Sequence, residues 1–113
     1  MNIATLILQI QTAQNGRFAK QANLLRNATI IDKPWWFVVK KKDYCTTLWN
    51  TIYLCEAFHR STPHEQCRWL IHEAVHLDQW KRKGSARMIA EYATKHGRER
   101  IEREAEFTAA LWK

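Results

Sequence analysis

Apolar residues recur every three or four positions near the start of the chain, which is the spacing of one face of an α-helix. The Asn15-Gly16 pair interrupts this pattern with two residues that favour turns. We therefore predict two helical pieces over residues 3–25, separated at this pair. The positions that keep the helical spacing are Ile3, Leu6, Ile7, Ile10, Phe18, Ala22 and Leu25.

β-Branched and aromatic residues replace the helical pattern between residues 28 and 54. Two turn signals, Asp32-Lys33-Pro34 and Lys41-Lys42-Asp43, divide this region. The last segment fits either a single strand or a hairpin bent near Asn50. Strands are therefore predicted at 28–31, 35–40 and 44–54.

Residues 61–65 carry the signals of a helix start. Thr62 is an N-cap residue, Pro63 occupies the first helical position and Glu65 follows the cap by three residues, which together form a capping box. A helix is therefore predicted from residue 63 to about residue 80.

Two glycines mark the ends of the later helices. Gly84 follows a basic run, as expected where a helix ends. A third helix is predicted at 86–96, with Gly97 as its C-terminal stop, and a fourth from Arg98 to Trp112. A chain of 113 residues is large enough for one core and too short for two. We therefore predict a single α+β domain spanning 1–113, with an N-terminal helix, a compact, mostly antiparallel sheet and then three helices.

Composition narrows the class of protein. Hydrophobic residues make up 46% of the chain and charged residues 26%, with only 3 Gly and 2 Pro, which excludes a disordered or collagen-like chain. No apolar run is long enough to span a membrane, and the N terminus has no basic leader, so we expect a soluble protein without a membrane partner. Cys45, Cys55 and Cys67 form no CxxC unit, which favours free thiols and a cytoplasmic location.

The predicted helix at 63–80 contains His72-Glu73-Ala74-Val75-His76, an HExxH motif. Four residues advance a helix by about 400°, so His72 and His76 project from nearly the same face and can bind one Zn²⁺. Glu73 lies beside that face, where its carboxylate can take a proton from water and pass it to a leaving amine. The alternative is two partly buried histidines with a surface glutamate between them.

A hydrolytic zinc site needs a third protein ligand and an open position for water. Gln79 and Arg82 stand where the extended pattern HExxHxxGxxH needs Gly and His, so a third histidine on that loop is excluded. The remaining source is a carboxylate of the last helix, which carries Glu99, Glu102, Glu104 and Glu106.

Helical geometry separates these four glutamates. Glu102 and Glu106 border the apolar stripe of this helix, whereas Glu104 is about 200° from Glu102 and should face solvent. We therefore predict that Glu102 binds the metal and that Glu106 accepts a hydrogen bond from the other nitrogen of a ligand histidine. The simpler alternative is a charged helix with pairs such as Glu99 and Arg103. The predicted buried stripe consists of Ile101, Ala105, Ala109 and Trp112.

The segment His72-Glu-Ala-Val-His76-Leu-Asp-Gln79, followed by Glu102-Arg-Glu-Ala105-Glu106, resembles the HExxH plus ExxA(D/E) arrangement of the gluzincin zinc metallopeptidases. It is most similar to the short forms found in bacteria and their phages, over residues 62–112. The resemblance implies a zincin-like fold, with His72, His76 and Glu102 as zinc ligands and Glu73 as the catalytic base. It also implies that a peptide substrate lies extended along the 44–54 strand.

The remaining polar residues carry less specific signals. Tyr92, His96 and Arg100 are candidates for stabilising an oxyanion, although Tyr92 also fits the core and His96 a surface position. His96 is also a fallback third ligand. His59 and His64 are interpreted as loop histidines, and the three thiols as core or free.

The charge balance adds a further hypothesis. Eighteen Lys and Arg against eleven Asp and Glu leave a net charge of +7, concentrated at 40–42, 81–83 and 98–103. Such a charge favours acidic partners or nucleic acid, but no helix-turn-helix, zinc-finger or RNP-type pattern accompanies it, and a solvated surface is the simpler interpretation. The six tryptophans are interpreted mainly as core.

Three functions are consistent with these patterns. The first is a zinc-dependent metallopeptidase acting on a protein or peptide substrate, cytoplasmic in a bacterium or encoded by a phage. The second is a non-catalytic zinc-binding assembly or structural protein, such as a virion component, that works through phage or host protein partners. The third is a basic nucleic-acid-associated protein.

Overall fold

A computed structural model describes residues 2–34 and 44–113 of the chain. The described residues form an α+β fold, which confirms the predicted class. The strand predicted at 35–40, together with Trp35, Trp36 and Lys40–Lys42, lies outside the described residues. The elements in chain order are α1 (Ile3–Thr12), a 3₁₀ turn (Ala13–Gly16), α2 (Ala19–Arg26), β1 (Thr29–Asp32), β2 (Thr46–Leu48), β3 (Thr51–Leu54), α3 (Glu56–Arg60), α4 (Pro63–Lys83), α5 (Ser85–Tyr92) and α6 (Lys95–Ala109).

The predicted break in the N-terminal helix is confirmed. Gln14 and Asn15 adopt φ values of 50° and 58°, and Gly16 follows at 79°, so the chain reverses between α1 and α2. The reversal folds the two helices against each other, which buries the apolar positions that the sequence pattern selects except Ile3, which is half-buried. The buried residues of the pair are Leu6, Ile7, Ile10, Phe18, Ala22 and Leu25.

The sheet is mixed, so the predicted mostly antiparallel sheet is wrong. Its strand order is β1-β3-β2, with β3 parallel to β1 and antiparallel to β2. A tight turn at Trp49 and Asn50 joins β2 to β3 and requires an antiparallel pair, and Trp49 takes a φ of 53° there. β1 joins β3 only through a long connection, which permits the parallel pairing. The segment 44–54 is thus a hairpin bent near Asn50, the second of the two predicted alternatives.

α4 begins as predicted and runs three residues further than predicted. The Thr62 side chain accepts a hydrogen bond from the Glu65 amide, and the Glu65 carboxylate accepts one from the Thr62 amide. The helix ends at Gly84, which adopts a φ of 83° that few other residues tolerate. α3 was not predicted, because a helix of five residues is too short to show a periodic pattern.

The predicted boundary between the last two helices is wrong. α5 ends at Tyr92, Thr94 caps α6, and Gly97 lies in the first turn of α6 rather than at the end of the preceding helix. A Cβ at position 97 would lie 2.0 Å from the Glu91 carbonyl oxygen. The glycine is therefore required because α6 starts in close contact with the end of α5.

α4 packs against α6 in antiparallel orientation. The Trp112 indole donates to the His64 carbonyl near one end of α4, and Gln79 donates to the Ile101 carbonyl near the other. The stripe predicted for the last helix is buried, but α6 ends at Ala109, before Trp112. Trp80 and Trp112 are buried as predicted for tryptophans, whereas Trp49 is 56% exposed. Within residues 2–34 and 44–113, none of the helices has the length and apolar character of a membrane span.

Replacing Gly97 by Ala tests the α5–α6 junction. An alanine normally stabilises a helix interior relative to glycine by about 1 kcal/mol, but here the added methyl meets the backbone of Glu91. We expect Gly97→Ala to lower the free energy of unfolding by at least about 2 kcal/mol, measured by urea denaturation. The exposed neighbour variant Glu99→Ala should change it by less than about 0.5 kcal/mol. A stabilised Gly97→Ala protein would contradict the close contact.

Candidate metal centre

Two histidines of α4 and one glutamate of α6 converge on one point. The Nε2 atoms of His72 and His76 each lie 3.2 Å from the same oxygen, Oε2 of Glu102. The two imidazole rings have centroids 5.0 Å apart, as expected for helix positions separated by one turn. The structure therefore brings together the three residues that the sequence singles out as ligands.

These separations fit a metal ion. In a tetrahedral zinc site with bonds of about 2.0 to 2.1 Å, neighbouring ligand atoms are about 3.3 to 3.4 Å apart. The 3.2 Å distances from Glu102 to both histidines are close to this value. His72, Glu73 and His76 also form a group whose donor atoms all lie within 4.8 Å of one another. This group can hold a metal ion. Glu102 lies beside it, and the two histidines together with Glu102 form a second set of three donors.

The converging donors lie on the wall of an open cleft of about 750 Å³. α4, α6 and the strand β2 form this cleft, so a molecule in solution can reach the donors. Glu73 and His76 are almost completely buried, at 4% and 3% exposure, whereas His72 is half-buried. The site is thus anchored in the core and open to solvent on one side.

β2 holds the carboxylate of Glu73 in place. The Thr47 hydroxyl donates a hydrogen bond of 2.8 Å to Glu73 Oε1, and both side chains are buried. Thr47 is itself fixed, because its carbonyl accepts a hydrogen bond from the indole of Trp80. Thr47 could not be predicted from the sequence, since it lies 26 positions before Glu73 and no local pattern links the two residues.

Gln79 determines the orientation of His76. Its amide nitrogen donates to the Ile101 carbonyl at 3.1 Å and to Glu104 Oε1 at 2.8 Å, so its oxygen must face His76. That oxygen lies 2.8 Å from Nδ1 of His76 and can only accept, so Nδ1 carries a proton. When His76 is neutral, the lone pair needed for a metal is therefore on Nε2, the nitrogen beside Glu102.

Glu106 lies beside Nδ1 of His72, as Gln79 lies beside Nδ1 of His76. Its Oε2 lies 3.3 Å from Nδ1 of His72, and its Oε1 accepts a hydrogen bond from Arg68 at 2.5 Å. Glu106 thus lies beside the other nitrogen of a histidine, as predicted, but in an ion-pair contact rather than the predicted hydrogen bond. Each histidine thus has one nitrogen on a fixed oxygen and the other directed at Glu102.

Charges and hydrogen bonds in the site shift the pKa values of His76 and Glu102 against the effect of burial. Burial disfavours the protonated form of His76, but its hydrogen bond to Glu102 and the negative charges of Glu73 and Glu102 outweigh this and raise its pKa to about 9. Burial raises the pKa of the Glu102 carboxyl, but hydrogen bonds from the two histidines outweigh this effect and hold that pKa well below its usual value. In the absence of a metal, a proton on His76 therefore balances part of the negative charge.

The other candidates differ in position. Tyr92 lines the cleft, and burial, followed by the nearby charges of Glu102 and Glu73, raises the pKa of its hydroxyl above the usual range. His96 and Arg100 are exposed on α6 and do not line the cleft. Neither His59 nor His64 is a loop residue, because they lie on α3 and in the first turn of α4.

Comparison with known proteins identifies no relative of this chain. No protein-family model, curated protein or solved structure matches the chain.

The role of Gln79 is tested by replacing it with leucine, which keeps the bulk and removes the hydrogen bonds. We expect Gln79→Leu to weaken zinc binding by about 10- to 100-fold, because His76 loses the oxygen that fixes its orientation. Gln66→Leu is the matched control, since Gln66 is also buried on α4 but bonds to the Phe58 carbonyl. Isothermal titration with zinc measures both. Equal losses in the two variants would contradict a specific role.

The raised pKa of His76 predicts a pH dependence of metal binding. Below about pH 9 the metal-free protein holds a proton on His76 that a metal must displace. The apparent zinc affinity should therefore rise about tenfold per pH unit from pH 7 to about 9 and level off above. Competition with a chelator, corrected for the chelator's own protonation, measures this slope. A constant affinity across this range would contradict the protonated state.

Proposed function

We propose that the protein is a zinc-dependent metallopeptidase in which His72, His76 and Glu102 bind the zinc and Glu73 is the general base. The observation that carries this proposal is the convergence of two imidazole nitrogens on one carboxylate oxygen, beside a buried second carboxylate, in an open cleft. A gluzincin-type site in a zincin-like fold is part of the same proposal.

The donor set favours zinc among the common divalent ions. Two imidazoles and one carboxylate suit zinc, whereas magnesium and calcium prefer oxygen ligands alone. Three protein donors on the wall of a cleft also leave a position for water, which is the arrangement of hydrolytic rather than structural zinc sites. When bound, zinc lowers the pKa of water and polarises the carbonyl group of a peptide.

Glu73 is placed for proton transfer. Its carboxylate lines the cleft beside the two histidines, and the hydroxyl of Thr47 holds one of its oxygens. In the proposed reaction Glu73 takes a proton from the attacking water and delivers it to the nitrogen of the leaving amine. The Tyr92 hydroxyl, which lines the same cleft, is the candidate donor to the developing oxyanion.

β2 offers a binding edge for an extended peptide. Among the described residues β2 pairs only with β3, and its residues Thr46 and Thr47 line the cleft. An extended chain can add to such an edge through backbone hydrogen bonds, which do not depend on its sequence. The proposed substrate is therefore an unfolded segment of a protein or a peptide.

Zinc content tests the ligand set. After equilibration with zinc and removal of the excess, the wild type should retain one zinc ion per chain, and so should Glu73→Gln. His72→Ala and Glu102→Ala should retain almost none, since each loses one of only three donors. Glu99→Ala is the matched control, because it removes an exposed carboxylate from the same helix. Full zinc retention by Glu102→Ala would contradict the ligand set.

Hydrolysis measured on the same proteins tests the chemistry. With a fluorescently labelled unfolded protein as substrate, Glu73→Gln should lower the rate by at least about a hundredfold while zinc remains bound. Wild-type activity in the Glu73→Gln variant would contradict the peptidase proposal. A zinc-loaded wild type that cleaves no peptide but binds a protein partner would favour an assembly role, and salt-sensitive binding of nucleic acid would favour the third hypothesis.

A further inference from the structure

Two of the three cysteines lie in contact at the cleft. Cys45 precedes β2 and Cys55 follows β3, and Thr46 pairs with Tyr53 between them, so both thiols lie at the open end of the hairpin. Their Sγ atoms are 3.3 Å apart. All three cysteines are free thiols, so the two neighbours form a dithiol pair rather than a bond.

The two thiols differ in their access to solvent. Cys45 is half-buried and lines the cleft, whereas Cys55 is only 2% exposed and lies behind it. A small molecule that enters the cleft therefore meets Cys45 first. Cys67 is fully buried elsewhere, with its Sγ near the Leu6 carbonyl of α1. Only Cys45 combines access from the cleft with a second thiol within reach.

We propose that Cys45 and Cys55 are a peroxide-reactive pair, in which Cys45 is oxidised first and Cys55 resolves it. The Cys45 thiol gives up its proton, its sulfur attacks one oxygen of hydrogen peroxide and the O–O bond breaks. The released hydroxide takes up that proton, so a sulfenic acid and one water form. The Cys55 sulfur then attacks the Cys45 sulfur, the S–S bond forms, and the hydroxyl leaves with the Cys55 proton as a second water. Two thiols are oxidised to one disulfide, and one peroxide is reduced to two waters.

The surroundings of the pair set the conditions for this reaction. Burial, which is the main cause, holds the pKa of the Cys45 thiol far above its usual value, so little of this thiol is in the reactive thiolate form in neutral buffer. The reaction therefore needs an excess of peroxide. The product would tie together the two ends of the hairpin whose Thr47 holds Glu73, on the wall of the proposed active site.

The mass of one tryptic peptide shows whether the disulfide has formed. Trypsin releases residues 43–60 as a single peptide that contains Cys45 and Cys55, and residues 61–68 as another that contains Cys67. The full-length protein is treated with excess hydrogen peroxide, denatured, alkylated and digested. Peptide 43–60 should be lighter than its reduced form by two hydrogen atoms and should carry no alkyl group, while Cys67 is alkylated. This result does not depend on zinc or hydrolysis, so it is distinguishable from the outcome for the proposed function.

Three variants establish the order of the steps. In Cys55→Ser the sulfenic acid on Cys45 has no partner, and dimedone should label that peptide. In Cys45→Ser, Cys55 should stay alkylatable, and in Cys67→Ser the disulfide should form as in the wild type. Two alkylatable thiols on wild-type peptide 43–60 after treatment, or equal oxidation of Cys67, would overturn the proposal. The wild-type result alone decides if a variant fails to fold.

Discussion

The registration of α6 against α4 is the constraint on which the site depends. An axial shift of one residue moves a helix by about 1.5 Å, which is enough to remove Glu102 from both imidazoles. Polar contacts at several heights hold the two helices in register. Three hydrogen bonds fix the axial position of α6 along nearly the full length of α4. They join Trp112 to His64, Arg68 to Glu106 and Gln79 to Ile101.

The same contacts explain the electrostatics. Burying His76 and Glu73 in a protein interior is unfavourable unless their polar atoms have partners. Thr47 and Gln79 supply neutral partners, and Glu102 supplies a charge. The result is a cluster with excess negative charge on the wall of a cleft, which a proton on His76 balances in the metal-free protein. A divalent cation at the same place would balance it more completely, which is why the proposed metal site and the raised pKa have one cause.

The helical part of the site could be predicted because its signals are local. The four-residue spacing of His72 and His76, the capping box before them and the burial stripe around Ile101 all follow from the period of one helix. The position of this stripe also predicts the roles of Glu102 and Glu106, because both residues border it on the helix surface. Their contacts with the histidines agree with that geometry.

The remaining parts depend on contacts between segments distant in the sequence. Thr47 reaches Glu73 from a strand, and Gln79 acts through three partners, so neither shows a spacing that identifies its role. Glycine is typical of the end of a helix, so the sequence alone places Gly97 there. Gly97 instead lies in the first turn of α6, where only a glycine fits against the backbone of Glu91. The parallel pairing of β1 with β3 likewise arises from the long connection between them rather than from either strand.

The proposed zinc ligands can be observed in a crystal structure of the zinc-equilibrated protein, with diffraction data collected on both sides of the zinc absorption edge. We expect one anomalous peak per chain, about 2.0 to 2.1 Å from His72 Nε2, His76 Nε2 and one oxygen of Glu102. An anomalous peak at the Cys45–Cys55 pair instead, or a zinc ion bound by the histidines with Glu102 directed away from it, would contradict the proposed ligand set.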